Sequence, residues 1–223
     1  MDKKLVLQAI AKFTLGVIVI AFLLFASSGT LEYWNAWLFM GMFFIPMLVV
    51  GIVLMVKNPD LLRKRLNAKE NETEQKRVIM LGGAMFFCGF IVAGLDYRFG
   101  WVDLPTWVSI IAAIIFLLAY VMYAEVLREN TYLSRTVEVQ EHQKVIDTGL
   151  YGIVRHPMYS AAIFLFLSMP LVLGSLFAFL VFLIYPILLV KRIKNEEHVL
   201  EEGLEGYSDY KKRVKYRVIP FVW

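Results

Sequence analysis

The segment Gly149-Leu-Tyr-Gly-Ile-Val-Arg-His-Pro-Met-Tyr159 sets an Arg-His-Pro triplet between two tyrosines, directly ahead of the longest uncharged run in the chain. Pro157 suits the first turn of a helix, where the neighbouring free N–H groups and the helix dipole add partial positive charge to that of Arg155. An anionic ligand group is therefore expected at this turn. The competing reading makes Arg155 and His156 interfacial anchors beneath a membrane helix. Gly149 and Gly152 allow the backbone to bend tightly and approach a ligand closely. Downstream, Asn195-Glu-Glu-His-Val-Leu200 brings two adjacent acids close to the hydrocarbon boundary, which is costly unless a cation pairs with them. Arg155 or a cationic ligand is the expected partner. His142, His156 and His198 lack metal-ligand spacing, so no metal site is expected. Cys88 is the sole cysteine and reads as a packing residue; it leaves no intramolecular disulfide and no cysteine-based metal site. Nucleophile elbow, phosphate-binding glycine loop and dinucleotide fingerprint are all missing from the sequence, which excludes a soluble Rossmann-type enzyme.

These groups have to be held by membrane helices. Of the 223 residues, 59% are hydrophobic, above the roughly 45–50% of a soluble domain. A first span runs from Phe13 to Ala26 and extends back through Leu5 if Lys12 snorkels to the headgroups. Further spans are expected over Trp34–Val56, Val78–Leu95 and Leu104–Tyr123. The uncharged run from Met158 to Val190 would measure roughly 50 Å as one helix, against a hydrocarbon core of about 30 Å. It must fold back, with Pro170 and Gly174-Ser175 marking the break; whether the hairpin crosses fully or re-enters stays open.

Lysine and arginine gather in the N-terminal stub, in Lys57 to Arg77, in Arg128 to Arg155 and in Lys191 to Arg217. The positive-inside rule puts all four clusters and both termini in the cytoplasm. The net charge of +4 expresses this asymmetry and points to anionic lipid. A nucleic-acid partner is not expected, since no basic face is interleaved with aromatics. Asn67 to Glu74 reads as a mobile cytoplasmic loop, and Gly89 with Ala93, one turn apart, as a close helix contact.

Taken in order, Gln143-x-Val145-x-x-x-Gly149-x-Tyr151-x-x-x-Arg155-His156-Pro157-x-Tyr159, an apolar hairpin, Glu196-Glu197-x-x-Leu200 and Gly206-Tyr207-x-x-Tyr210-Lys-Lys-Arg-Val214 resemble the isoprenylcysteine carboxyl methyltransferase family and its phospholipid-methyltransferase relatives. The closing Tyr216-Arg-Val-Ile-Pro-Phe-Val-Trp223 is similar to bacterial members, as are Asn58 to Arg65 and Gly94 to Trp101 more weakly. The resemblance implies methyl transfer from S-adenosyl-L-methionine (SAM) to a lipophilic acceptor arriving from a bacterial or archaeal cytoplasmic membrane. Gln143, Val145, Gly149, Tyr151, His156, Pro157 and Tyr159 are then the implied cofactor-binding residues, closed by Glu196 and Glu197. Arg155 and Glu197 are the implied catalytic pair, with Arg155 orienting the acceptor. Glu201, Glu202 and the spacing before Tyr207 depart from the eukaryotic pattern, so prenylcysteine is only one candidate acceptor.

The fold implied is all-α: a polytopic transmembrane helical protein of four spans plus a C-terminal helical hairpin, with a cytoplasmic cofactor site. Residues 1–124 hold the four spans and a cytoplasmic loop over 57–77; residues 125–223 form the methyltransferase-like region, including the membrane hairpin 158–190. Two other readings compete. An NADPH-dependent membrane reductase of the sterol or steroid type would share this layout, though the sequence lacks an extended set of cations for a 2′-phosphate. A non-catalytic membrane protein would place ionisable groups at the bilayer midplane, where these spans have almost none. The topology has a direct test in a Cys88→Ala background. Single cysteines at Thr148 and Ser208 should label only from the cytoplasmic face and one at Glu32 only from the opposite face; Thr148 and Ser208 on opposite faces would dismantle the hairpin.

Overall fold

A bilayer leaves no water for stray backbone groups, so uncharged runs of this length can only be helices. The computed structural model describes residues 3–67, 73–134 and 136–223, and among them the regular structure is helical, without strands. Four long apolar helices come first: α1 (Lys3–Ser28), α2 (Trp34–Lys57), α4 (Thr73–Phe99) and α5 (Thr106–Glu129). Then α6 (Pro157–Val172) turns back into α7 (Leu176–Phe182) and α8 (Ile184–Gly203), and α9 (Tyr207–Arg213) follows. Leu183, the one residue between α7 and α8, keeps helical dihedrals, so Leu176–Gly203 acts as a fifth long apolar element.

The segment read as a plain loop over 57–77 contains a helix, α3 (Pro59–Leu66). Asn58 caps it by accepting from Leu61 N (3.1 Å), Pro59 opens it, and Arg63, Lys64 and Arg65 sit in its last turn where the dipole favours cations. Lys12 donates to the carbonyl of Leu66 at the C-terminal end of α3. Residues 68–72, the centre of the stretch read as mobile, lie outside the described residues.

Helix approach is set by small side chains. On α5, Ser109, Ala112, Phe116 and Ala119 share one buried face, and the most extensive helix contact is between α5 and α6. Gly89 of α4 accepts the Phe182 ring, which would lie 2.3 Å from a Cβ there; Ala93, one turn on, is fully buried. Gly94 meets α1: a Cβ would fall 1.8 Å from Ser27 Oγ and 2.8 Å from the Leu24 carbonyl. Cys88, by contrast, is exposed on the outside of α4 and so is not the packing residue expected.

The break in the hairpin sits at Gly174-Ser175, while Pro170 remains inside α6. Gly174 (φ +75°) takes the left-handed position; its N–H bonds to Leu171 O (3.1 Å) and that of Ser175 to Pro170 O (2.9 Å), a Schellman cap. Ser175 then caps α7 and donates to the buried Asp96 of α4 (2.6 Å). Tyr33 donates to Leu173 O (2.6 Å), Asn35 to Val172 O (2.8 Å) and Ser109 to Leu171 O (3.0 Å). The tip is thus fastened to the ends of α2, α4 and α5 farthest from α3.

Gly94→Ala should destabilise the detergent-solubilised protein by about 1–3 kcal/mol or more, because Ser27 and the α1 backbone must move. Gly51→Ala, in α2 with nothing within 4 Å, should instead be neutral or stabilising by up to about 1 kcal/mol. Thermal unfolding of the two variants against wild type measures the contrast.

Candidate functional site

At the end of the bundle opposite the hairpin tip, three chain segments converge: the turn before α6, the part of α8 beyond Val190, and the tail after α9. The carboxylate of Glu197, 3% exposed, is their meeting point. Arg155 Nε donates to Glu197 Oε1 (2.7 Å), Arg217 Nε to Oε2 (2.9 Å), and His156 Nε2 lies 3.4 Å from Oε1. Arg155 Nη1 also donates to the carbonyls of Val214 (2.7 Å) and Lys215 (2.8 Å). The amides of Arg155 and His156 bond to the carbonyls of Tyr216 (2.9 Å) and Arg217 (2.8 Å), and Ser160 Oγ to that of Val218 (2.6 Å). The tail therefore occupies the electropositive start of α6 where an anionic ligand group was expected. Burial opposes ionisation of Glu197, which lies beyond the apolar part of α8, yet the bonds from His156, Arg155 and Arg217 outweigh it and hold the carboxyl well below the usual carboxylate range.

Glu196 is placed differently. Its side chain is a quarter exposed; Oε1 lies 3.8 Å from His156 Nδ1 and Oε2 accepts from the Tyr159 hydroxyl. Tyr159 OH in turn accepts from Arg192 Nε (2.8 Å), and Arg192 Nη1 donates to Gln75 Oε1 (3.0 Å), buried at the start of α4. Glu196, Tyr159 and Arg192, the last steadied from behind by Gln75, line an open cleft. More of the lining comes from residues within 130–134 and 136–146, which are followed by the ties of Arg213 Nη2 to Asp147 (2.8 Å) and Thr148 to Glu129 (2.7 Å).

Of the residues the sequence singled out, Gln143, Val145, Tyr151, Arg155, His156, Tyr159 and Glu196 line this cleft. Gly149, Pro157 and Glu197 do not contribute to its wall. Gly149 (φ +51°) is needed for a different close approach, since a Cβ would lie 2.2 Å from Glu129 Oε2. Pro157 opens α6. Tyr151 is fixed by Asn130 Nδ2 to its hydroxyl (2.9 Å) and by Tyr210 OH to its carbonyl (2.8 Å); burial pushes its phenol up and keeps it neutral. Sequence reasoning gave no role to Arg192, Arg217, Gln75 or Tyr207. Arg192 was within reach, standing one helical turn before Glu196. Arg217 is 20 residues from its partner, beyond the end of α8 and the whole of α9, and no local period announces it.

A second, open and mainly apolar cavity lies among α4, α6 and α8, lined by Gly82, Gly83, Phe86, Phe166, Leu188 and Leu189, with Arg65 of α3 also in its lining. Ser134, Met158, Tyr159 and Arg192 belong to both cavities, so the polar cleft and the apolar cavity meet at these four residues.

Residues 106–202, from the start of α5 to near the end of α8, match the family model of the isoprenylcysteine carboxyl methyltransferase (ICMT) family. The Delta(14)-sterol reductase of Mus musculus is 32% identical over 91 residues, 40% of this chain and 22% of the reductase. The chain thus spans about a fifth of the length of that curated relative. Over the matched region the chain is isoprenylcysteine carboxyl methyltransferase-like, and with its long apolar helices it is an integral membrane protein. The match ends before Tyr207, Tyr210 and Arg217, whose places come from the structure alone.

Glu197→Gln removes the charge that the buried Arg155 and the partly exposed Arg217 share, and should cost about 3–5 kcal/mol of stability at neutral pH. The wild-type carboxyl has a lower pKa folded than unfolded, so this stabilisation is present above the ordinary value of 4.5 and is lost as the pH falls below it. Thermal melts of the variant and wild type should accordingly converge on acidification. Glu201→Gln, which breaks a half-exposed pair with Lys211, should change stability by about 1 kcal/mol at most.

Proposed function

We propose that the chain is a SAM-dependent methyltransferase acting at the membrane on a lipophilic acceptor. The observation that carries this reading is the junction of a charged, polar cleft with an apolar cavity at Ser134, Met158, Tyr159 and Arg192. A ligand with a polar reactive head and a hydrocarbon tail fits both at once; a wholly water-soluble acceptor has no use for the second cavity.

The cleft suits SAM on the chemistry of its side chains. Glu196 and the faces of Tyr151 and Tyr159 offer negative charge and π density to a sulfonium. SAM, when bound, supplies a methyl group on a sulfur that is already a good leaving group. The protein's work is then to align the acceptor and exclude water. Glu197 is held ionised by three donors and is a weak base, so it serves with Arg155 and Arg217 to fasten the site. Glu196 is the carboxylate free to take a proton from a thiol or amine acceptor; a carboxylate acceptor needs no base. Arg192, at the junction, is placed to orient the acceptor's head, the role the family resemblance assigned to Arg155. The charge asymmetry puts this end of the bundle in the cytoplasm.

The sterol reductase relative favours a second reading, in which the cleft holds NADPH. One experiment separates the two. Purified protein is given methyl-labelled SAM and acceptors that share a reactive head and differ in chain length, with NADPH oxidation followed in parallel. Label should pass to the acceptor, with efficiency rising by up to about 0.8 kcal/mol per added methylene until the cavity is filled. A flat response, or preference for the shortest acceptor, overturns entry through the apolar cavity. NADPH oxidation without label transfer moves the assignment to the reductase.

A further inference from the structure

Three buried side-chain polar atoms lack a hydrogen-bond partner among the described residues: Glu129 Oε2, Asn195 Nδ2 and the Tyr207 hydroxyl. Of these residues only Tyr207 lines the cleft. It is 4% exposed and packs at a tilt against Tyr210, with ring centroids 5.8 Å apart and planes at 55°, in a cluster with Leu204 and Val214. A phenylalanine would pack here equally well and would not bury an unpaired hydroxyl, which costs stability. The hydroxyl is therefore placed for something that enters the cleft.

We infer that Tyr207 is a ligand-binding residue whose hydroxyl donates a hydrogen bond to the nucleoside half of the bound cofactor. This rests on the cleft being a SAM site. Arg155, His156, Tyr159, Arg192 and Glu196 give the cleft its polar lining, while Val145, Leu200, Leu204 and Tyr210, packed with Tyr207, give it apolar and aromatic surface suited to a flat base. Burial, with Glu197 and Glu196 nearby, raises the phenol's pKa, so the group stays protonated and acts as a donor. The same carboxylates disfavour an anionic ligand group beside it. The oxygens of Glu197 are already taken by Arg155, His156 and Arg217, leaving the donor free to turn to a neutral acceptor atom, a ribose oxygen or a ring nitrogen.

The test is Tyr207→Phe, studied by thermal unfolding and by calorimetric titration with S-adenosylhomocysteine and with 5′-methylthioadenosine, which keeps the nucleoside and lacks the amino acid. Without ligand the variant should melt at the wild-type temperature or above it, because an unpaired buried hydroxyl has been removed. Affinity for both ligands should fall about three- to tenfold, the range of one lost hydrogen bond. Unchanged affinity for both overturns the inference. A loss confined to S-adenosylhomocysteine overturns the nucleoside assignment, and a lowered melting temperature without ligand makes the hydroxyl structural. Wild-type protein that binds neither ligand overturns the cofactor reading itself, an outcome separate from equal binding by wild type and variant.

Discussion

A carboxylate taken out of water is tolerated only when its charge and lone pairs are met, and Glu197 is met from three directions at once. Arg155 reaches it from the turn before α6, Arg217 from the tail, and His156 from beside Arg155. Removing water from these groups costs several kcal/mol per ion, so the cluster adds little net stability over apolar packing of the same volume. What it adds is placement. Since the donors come from two parts of the chain, both remote in sequence from Glu197, the charge is satisfied only when α8, the α6 turn and the tail lie in one arrangement. That arrangement sets His156 and Tyr159 against Glu196 and defines the cleft.

The same logic appears inverted at the far end of the bundle. There, neutral donors close the hairpin tip: Tyr33, Asn35 and Ser109 satisfy the carbonyls that end α6, and Asp96 holds the cap of α7. Fastened at the tip by these bonds and at the base by Glu197, α6 and α8 cannot slide past one another without breaking buried polar contacts at one end. The apolar cavity between them, bounded by α4 through Gly82 and Gly83, is thus framed by elements fixed at both ends.

Sequence carried the frame well because the forces that set it are local and one-dimensional. Hydropathy finds spans, an overlong run demands a turn, and Gly174-Ser175 offers the residues a Schellman cap requires. It carried the site less completely. The order of motifs named the right neighbourhood, and seven of the singled-out residues line the cleft. A motif, however, does not say whether a residue faces the cavity or braces it. Glu196 and Glu197 are adjacent, but the helical rotation between them gives one to the cleft and buries the other against two arginines. Gly149 was read as making room for a ligand, and it makes room for Glu129. Cys88 sits mid-span, yet nothing in the composition of α4 says which of its faces meets lipid. Helix α3 was hidden by its charge; its cap, Asn58-Pro59, was the visible signal.

The division between Glu196 and Glu197 has a chemical consequence. A sulfonium beside a carboxylate that is already neutralised by two guanidiniums gains little from it, and a carboxylate with no donor would be free to move. Glu196 avoids both: it is steadied by one neutral hydroxyl and an imidazole nitrogen 3.8 Å away, and its remaining charge is directed into the cleft. Tyr159, which steadies it, is itself oriented by Arg192, and Arg192 by Gln75. A group entering through the apolar cavity, which Arg65 also lines, meets Arg192 and Tyr159 where the two cavities join. The residues that would greet the acceptor are therefore mechanically linked to the one that would face the methyl donor, so that placing one ligand bears on the electrostatics felt by the other.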